Sequence, residues 1–194
     1  MTRALDLLIA SVALVLTAPL LLVAAVAIRL ESPGPVIYRH PRVGRHGTPF
    51  ELWKLRTMVQ GAERLGAGLY VEAGDARITR SGALLRRFSL DELPNLVNVL
   101  RGELSIVGPR PTVSEQVQRY TPHQRRRLEV RPGITGWAQV NGRLALSWPQ
   151  RIELDVWYVE HRSPALDLRI LMRTARMLIT GQGLYSDDLR QGWE

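Results

Sequence analysis

The chain has 194 residues, a length that suits one globular domain or at most two. Its 26 basic and 18 acidic side chains give a net charge of +8, and Lys54 is the only lysine among them. Cysteine is absent, which excludes disulfides, thiolate-bound zinc, iron–sulfur clusters and thiol catalysis, and a hydrophobic content of 45% excludes a disordered chain.

A long apolar segment near the start of the chain predicts a membrane helix. Residues 7–28 carry no charge, and these 22 residues exceed the ~20 that a helix needs to cross a bilayer core. The segment is too long for the apolar region of a signal peptide and too uniform for a buried core helix. Pro19 lies near its middle, where proline kinks or breaks a helix. These residues favour a simple span, and a re-entrant hairpin with its break at Ala18 and Pro19 is the alternative.

Hydrophobic spacing and turn residues predict a small mixed domain after this segment. A Ser-Pro-Gly-Pro turn ends the first helix, and short strands are expected at 36–38, 50–53 and 104–107. Helices are expected over 79–88, 91–101, 147–160 and 163–180, with a further one that begins at Thr121. We expect a loop over 60–78 that contains one short helix, and a loop of turn-forming residues over 131–143.

The helix near residue 91 has two conflicting start signals. Ser89 and Glu92 have the spacing of a capping box, which would start the helix at Ser89. Pro94 would then occupy an interior position where its missing N–H matters, so we expect the helix to begin at or after Asp91. Gly102 suits the residue that follows its end.

The adjacent carboxylates of Asp91 and Glu92 are the strongest candidates for chemistry. Acidic residues are favoured in the first turn of a helix by its dipole, so a structural role stays open. Three features favour a catalytic role: the preceding Arg86 and Arg87, Arg110 in a rigid Gly-Pro-Arg-Pro corner, and the membrane segment. Carboxylates that face guanidinium groups suit a divalent cation and a phosphate-bearing substrate, and an ionised carboxylate can attack phosphorus.

The excess of arginine has several interpretations. Arg125, Arg126 and Arg127 are typical of a solvated face, although anionic lipid headgroups would bind the same charges. The last helix carries an arginine stripe, and we expect it to pack on the core rather than lie on a membrane. Nucleic-acid binding would rest on charge alone, because no recognition motif supports it.

Several long stretches of the sequence resemble one enzyme family. They are SPGPVIYRHPRVGRHGTPFELWKLRTM, LLRRFSLDELPNLVNVLRGELSIVGPRP, RPGITGWAQVNGR and LDVWYVEHRSPALDLRILMRT, and they follow a helix with a proline near its middle. The chain resembles the monotopic polyprenyl-phosphate phosphoglycosyl transferases, the bacterial sugar transferase family. It is most similar to their minimal members, which hold only a membrane helix and a catalytic domain.

The resemblance implies an enzyme that transfers a sugar-1-phosphate from a UDP-sugar to undecaprenyl phosphate and releases UMP. Such enzymes catalyse the first membrane step in the assembly of an exopolysaccharide, O-antigen or glycoprotein glycan. The resemblance implies a ping-pong route with Mg²⁺, in which Asp91 forms a covalent phosphosugar intermediate. Glu92 matches its partner in metal binding or positioning.

The resemblance also implies roles for basic residues. Arg86, Arg110 and Arg143 match positions around the site and are expected to contact phosphate or nucleotide. Lys54 and Arg56 match a Lys-x-Arg motif, in which we expect Lys54 to be the main contributor.

The implied fold class is α+β and mainly helical. Residues 1–31 would form a re-entrant membrane helix-break-helix, and residues 32–194 a cytosolic catalytic domain with short strands and amphipathic helices. This hairpin replaces the simple span as our expectation, although Ala18 precedes Pro19 where relatives often have serine. We expect the bacterial inner membrane as the location, with the catalytic domain on its cytoplasmic face. The expected partners are UDP-sugar, undecaprenyl phosphate and membrane lipid, without nucleic acid.

Three properties stay open at this point. Members of the family use various hexoses and amino sugars, and the Leu-Ser-Trp segment at 146–148 leans toward an N-acetylated amino sugar. The glycan pathway and the formation of a homodimer are undecided. The alternative function is a non-catalytic, membrane-anchored basic adaptor that binds anionic lipid or nucleic acid.

Overall fold

A computed structural model of the chain describes residues 1–65, 75–142 and 146–180, and helices dominate these ranges. The helices are α1 (Arg3–Glu31), α2 (Arg80–Arg87), α3 (Asn95–Arg101), α4 (Ser114–Gln118), α5 (Pro122–Arg125), α6 (Trp137–Val140), α7 (Trp148–His161) and α8 (Pro164–Thr180). The strands are β1 (Ile37–Val43), β2 (Pro49–Leu55), β3 (Ser105–Val107) and β4 (Gly133–Thr135). The mainly helical α+β class that the sequence predicts is therefore confirmed.

The strands form two small sheets. β1 and β2 pair antiparallel as the predicted hairpin, although both are longer than predicted, and β3 and β4 pair parallel. The prediction of a loop over 131–143 is wrong for β4 and α6. β4 depends on its pairing with β3, which is distant in sequence and leaves no local signal. Glycine permits this pairing, because a Cβ on Gly133 would lie 2.1 Å from the backbone nitrogen of Gly108.

The core lies where α3, β2, β3, α7 and α8 meet. Its buried residues are Ala10, Leu52, Leu96, Val99, Leu104, Ile106, Val107, Tyr158, Leu166 and Ile170. The last helix packs on this core as expected, through Leu166 and Ile170, while Leu168 and Met172 on its other side are exposed.

The segment between α2 and α3 differs from a simple helix start. Ser89 makes no capping hydrogen bond, as its conflict with Pro94 predicts. A 3-10 turn covers Leu90–Glu92, and α3 begins at Asn95, which agrees with the predicted start at or after Asp91. The two carboxylates therefore occupy a separate turn rather than the first turn of α3. Gly102 ends α3 with a φ of 84°, the left-handed conformation that glycine adopts at little cost.

The apolar helix α1 is attached to the domain at both of its ends. Near its start, Asp6 is 1% exposed and accepts hydrogen bonds of 2.9 Å from the Ser105 hydroxyl and the Ile106 N–H. Near its end, Ala24 and Ile28 pack against Leu55 and Leu85. α1 is continuous through Pro19, so the re-entrant arrangement and the division at residue 31 stay predictions.

The contact of Asp6 gives a stability prediction. Asp6→Leu would leave the Ser105 hydroxyl and the Ile106 N–H without their acceptor inside the core. We expect the free energy of unfolding to fall by about 1–3 kcal/mol for each donor left unpaired. Chemical denaturation in detergent micelles measures this change.

The control is Ser11→Leu, which adds the same side chain to an exposed position of α1. This variant should unfold like the parent protein. Equal stability of both variants and the parent would contradict a structural role for the Asp6 carboxylate.

Candidate active site

The two carboxylates lie in a strained turn. Ser89 has a φ of 55°, in the left-handed region that non-glycine residues rarely adopt, and the single 3-10 turn of Leu90–Glu92 follows it. Backbone of this kind costs free energy and is retained where the surrounding structure imposes it, commonly at functional sites. The turn brings Glu92 against β2 and the Gly-Pro-Arg-Pro corner at 108–111.

Glu92 is held by two cations from distant parts of the chain. Lys54 Nζ in β2 donates a hydrogen bond of 2.7 Å to Glu92 Oε1, and Arg110 Nη2 donates one of 2.9 Å to the same oxygen. Burial alone would raise the pKa of Glu92, but the charges of Arg110 and Lys54 hold it well below its usual range. Glu92 is therefore ionised at neutral pH. Arg110 stays open to solvent, with 44% of its side chain exposed.

Asp91 differs from its neighbour, because it makes no ion pair with any residue in the described ranges. Burial raises the pKa of its carboxyl, the charges of Lys54 and Arg86 lower it, and the like charge of Glu92 raises it. Asp91 is thus close to fixed cations, yet none of those in the described part of the chain forms an ion pair with its oxygens. This combination suits a nucleophile that attacks a phosphate.

The remaining predicted residues divide into three groups. Arg86 lies near Asp91, and its Nε donates a hydrogen bond of 2.8 Å to the hydroxyl of Thr57. Arg56 is buried instead at the end of α1, where it donates to the carbonyl of Ser32 at 2.7 Å. The structure therefore does not bring Arg56 to the carboxylates. Arg143 lies outside the described residues, and its role stays a prediction.

Arg42 is a further cation near the carboxylates, and sequence reasoning missed it. It lines a small cleft together with Glu92, Asn95 and Arg110. Burial and the nearby positive charge of Arg110 lower the pKa of Arg42 to about 10, although Glu92 and other groups act to raise it. The predicted first strand ends at residue 38, so the prediction did not extend it as far as Arg42. The observed β1 continues to Val43 and includes this arginine.

A buried network supports Arg110 from behind. Arg127 Nη2 donates a hydrogen bond of 2.9 Å to the backbone carbonyl of Arg110 and also pairs with the carboxylate of Asp155. Its Nη1 donates to the hydroxyl of Tyr120. Arg127 is 2% exposed, so the prediction of a solvated face is wrong for this residue, whereas Arg125 is exposed as predicted. The sequence of an arginine run does not show which of its side chains is buried.

Two pockets flank Arg110. The first has a volume of about 270 Å³ and borders Glu92. Its walls are mostly apolar: Phe88, Leu90, Leu93, Leu96, Ile134, Val140, Met177 and Leu178. The second, the polar pocket, has a volume of about 230 Å³, and most of its lining residues carry a polar or charged group: Arg110, Arg127, Ala138, Gln139, Trp148, Arg151 and Asp155. The site thus offers an apolar wall on one side of Arg110 and, on the other, a pocket that several charged and polar side chains line.

The capacity for a metal ion rests on the two carboxylates. Over residues 1–65, 75–142 and 146–180, no cluster of three or more histidine or acidic side chains could hold a metal by itself. Mg²⁺ commonly takes one or two carboxylates and completes its shell with substrate phosphate oxygens and water. Asp91 and Glu92 fit that donor set, so a metal would bind together with a phosphate-bearing substrate.

Comparison with known proteins identifies close relatives. A family model described as bacterial sugar transferase matches residues 1–181. An uncharacterized sugar transferase of Bacillus subtilis, EpsL, is 46% identical over 94% of this chain and 89% of its own length.

Two further relatives carry names that state a reaction. A UDP-N-acetylgalactosamine-undecaprenyl-phosphate N-acetylgalactosaminephosphotransferase of Aeromonas hydrophila is 43% identical over 93% of this chain. The match covers 44% of that relative, so the present chain spans less than half of it. A UDP-glucose:undecaprenyl-phosphate glucose-1-phosphate transferase of Caulobacter vibrioides is 43% identical over 94% of this chain and 71% of its own length.

The buried network around Arg127 can be tested through stability. Arg127→Met would leave Asp155 as a buried carboxylate without its partner, and we expect a loss of about 3–5 kcal/mol in the free energy of unfolding. Arg126→Met is the matched control, because the neighbouring Arg126 pairs with Glu160 at the surface. That change should cost no more than about 1 kcal/mol. Similar losses in the two variants, measured by chemical denaturation, would contradict the assignment.

Proposed function

The chain belongs to the bacterial sugar transferase family, and from that membership we propose that it transfers a sugar-1-phosphate from a UDP-sugar to undecaprenyl phosphate, with release of UMP. The relatives support a sugar-phosphate transferase, and those named for a reaction use both substrates. One observation of this chain carries the proposal. The Asp91 carboxylate is without an ion pair in the described ranges and lies beside fixed cations, and its chain neighbours Leu90 and Glu92 line the mostly apolar pocket.

In the proposed reaction Asp91 is the nucleophile. One of its carboxylate oxygens attacks the phosphorus that carries the sugar, and the bond from that phosphorus to the bridging oxygen breaks. UMP leaves with the bridging oxygen and the electron pair, and the sugar phosphate is then bound covalently to Asp91. An oxygen of undecaprenyl phosphate attacks the same phosphorus in the second step. Asp91 leaves as a carboxylate, and undecaprenyl-diphospho-sugar is the product.

The cations have complementary roles in these steps. Lys54, Arg110, Arg42 and Arg86 present more positive charge than Asp91 and Glu92 balance, so the site attracts phosphate groups. Preorganised charges of this kind stabilise the transferring phosphoryl group without reorganisation during the reaction. Glu92 positions Lys54 and Arg110 through its shared oxygen.

We propose that Mg²⁺ takes part and that Asp91 and Glu92 hold it with the phosphates of the donor. The ion would neutralise charge on the diphosphate and on the departing UMP. Glu92 already bonds to two cations through Oε1, which leaves its second oxygen as the metal donor.

The mostly apolar pocket suits the lipid acceptor. Its apolar walls border Glu92 and Arg110, so a ligand with a phosphate at one end and a hydrocarbon chain behind it matches the arrangement. Phe88 in the pocket wall is itself partly exposed, and Leu84 and Ile179, which lie outside the wall, are exposed apolar side chains as well. We propose that this surface faces the membrane and that the phosphate of undecaprenyl phosphate enters beside Asp91.

We further propose that α1 enters the membrane from one side and returns to it. Its contacts with the domain at both ends, through Asp6 and Ile28, support this arrangement. A spanning helix would carry its ends to opposite sides of a bilayer core about 30 Å thick. Between the two attachments, Val15, Leu16, Leu22 and other apolar side chains are exposed and available to lipid. The cytoplasmic face of the inner membrane is the proposed location.

A hydroxyl near the proline supports bending of α1. The sequence has Ala18 before Pro19, and Thr17 one residue earlier donates a hydrogen bond of 2.7 Å to the carbonyl of Ala13. Threonine hydroxyls that bond to the carbonyl four residues back tend to bend helices. Thr17 thus provides a hydroxyl near the proline, although Ala18 itself has none.

Transfer is tested by the release of UMP. Purified protein is incubated with undecaprenyl phosphate, Mg²⁺ and each of a panel of UDP-sugars. It should release UMP with at least one of them, and we expect that one to carry an N-acetylated amino sugar. Asp91→Asn should reduce release by at least about 10³-fold, because the nucleophile is lost. Without acceptor, the parent protein should accumulate a sugar phosphate on Asp91, detectable by mass spectrometry, and a chelator should abolish turnover.

The control for this assay is Glu153→Gln, a neutralised carboxylate on the exposed face of α7, which should keep full activity. Undiminished release by Asp91→Asn, or no release with any sugar, would contradict the proposal. Binding to anionic lipid that collapses with salt and ignores Asp91 would instead indicate a basic adaptor.

The topology of α1 is tested by labelling introduced cysteines. The chain has no natural cysteine, so Thr2→Cys and Pro33→Cys give unique sites on either side of the apolar segment. A re-entrant α1 predicts that a membrane-impermeant maleimide labels both sites in inverted inner-membrane vesicles and neither in intact spheroplasts. Labelling of one site from each face would indicate a span.

A further inference from the structure

We propose that the polar pocket behind Arg110 binds the nucleoside of the donor, with Trp148 and Gln139 as the residues that contact its base. The proposal rests on the proposed function, because it assumes a nucleotide-activated sugar. It assigns the polar pocket to one half of the donor and leaves the mostly apolar pocket to the lipid.

The position of the polar pocket fits one end of a larger ligand. Both pockets are lined by Arg110 and Gln139, so they lie on either side of the same two side chains, and Glu92 lines the mostly apolar one. At about 230 Å³ the polar pocket is smaller than the ~300–1,000 Å³ of sites that enclose a whole drug-sized ligand. A donor with its diphosphate at Arg110 would therefore extend its nucleoside into the polar pocket while the sugar-linked phosphate lies near Asp91.

Two side chains that line this pocket have polar atoms without a hydrogen-bond partner among the described residues. Both amide atoms of Gln139 are buried without a hydrogen-bond partner among the described residues, and so is Oδ1 of Asp155, a residue that is 1% exposed. Buried polar groups are rarely left unpaired, and two neighbouring cases need a physical reason. A rotation of the Gln139 side chain into the cavity would let a ligand pair with its amide.

The amide of Gln139 matches the edge of a pyrimidine. An amide offers one donor and one acceptor side by side, and glutamine uses both to bind the edge of a nucleic-acid base. Gly136 leaves space for it, because a Cβ at that position would lie 2.7 Å from Gln139 Oε1. The segment that holds Gln139 thus leaves room for the polar end of this side chain beside the cavity.

Trp148 supplies an aromatic surface for stacking. It begins α7, where the Ser147 side chain caps the helix, and the guanidinium of Arg151 lies 5.1 Å from its ring centroid. Arg151 is itself held by a hydrogen bond of 2.9 Å from its Nε to the carbonyl of Leu146. Bases stack on tryptophan rings and on guanidinium planes without a sequence requirement. A base in the pocket would therefore contact both side chains.

The test compares two ligands that differ only in the base. UMP and ribose 5-phosphate are titrated against the full chain in lipid nanodiscs, with affinities from ligand-observed NMR. Trp148→Leu and Gln139→Met should each weaken UMP about tenfold and change ribose 5-phosphate less than about twofold, because only UMP has a base to lose contact. Gln118→Met, at an exposed position, is the control and should change neither affinity.

Several results would overturn the assignment. The first is that both variants bind UMP as tightly as the parent protein does. The second is that both variants bind UMP and ribose 5-phosphate more weakly by the same factor. The third is that the parent protein does not bind UMP. If only one variant binds both ligands more weakly by the same factor, that variant has a folding defect. The affinities of the other variant then test the assignment.

The same preparations separate this proposal from the proposed function. In one outcome, the parent protein releases UMP from a UDP-sugar and both variants have the same KM for that UDP-sugar as the parent. The proposed transfer reaction is then supported, and the assignment of the nucleoside pocket is wrong. If UMP binds through Trp148 and Gln139 but no UDP-sugar is turned over, the pocket stands as a nucleotide site and the transfer reaction is wrong.

Discussion

The candidate active site depends on one ion cluster, in which a single oxygen of Glu92 accepts hydrogen bonds from Lys54 and Arg110. The three residues come from β2, from the turn before α3 and from the corner after β3. Without the carboxylate, like charges would face one another in a partly buried cleft that also contains Arg42. The same oxygen therefore joins three distant segments and keeps their cations close to Asp91, which itself forms no ion pair with the described residues.

Buried polar contacts outside the cluster hold its parts in place. Asn98 in α3 is fully buried. Its side-chain oxygen accepts a hydrogen bond of 3.0 Å from the backbone N–H of Trp53, and its side-chain nitrogen donates one of 2.6 Å to the backbone carbonyl of Glu51. These bonds fix β2, and with it Lys54, against the helix that follows the carboxylates. Arg127 fixes the Arg110 backbone in a similar way. Such contacts stabilise little on balance, but they are costly to break, because each would leave a buried polar group unpaired.

The arrangement of α1 and the two pockets gives the proposed reaction a physical setting. α1 is attached to the domain at both ends, so a shallow entry into the membrane would keep the carboxylates close to the lipid headgroups. The mostly apolar pocket and the polar pocket meet at Arg110. A lipid phosphate and a soluble nucleotide would therefore approach Asp91 from opposite sides of one guanidinium group.

The sequence by itself determined the features that local chemistry controls. The apolar segment, the starts of the helices at residues 79, 121 and 147, and the conflict between Ser89 and Pro94 all depend on neighbouring residues, and the structure agrees with them. The candidate carboxylates were also recognisable, because they are adjacent in the chain and precede a rigid corner with an arginine.

Lys54, Arg86 and Arg110 were predicted from the sequence, but only the tertiary structure decided where several others of the 26 basic residues lie. Arg42 joins it because β1 is longer than its apolar pattern suggests, and Arg127 turns inward to Asp155 although its neighbour Arg125 stays in solvent. Arg56, two residues from Lys54, is used instead to bind carbonyls at the end of α1. A guanidinium group has the same chemistry at every position, and its partner is set by contacts between segments far apart in the chain.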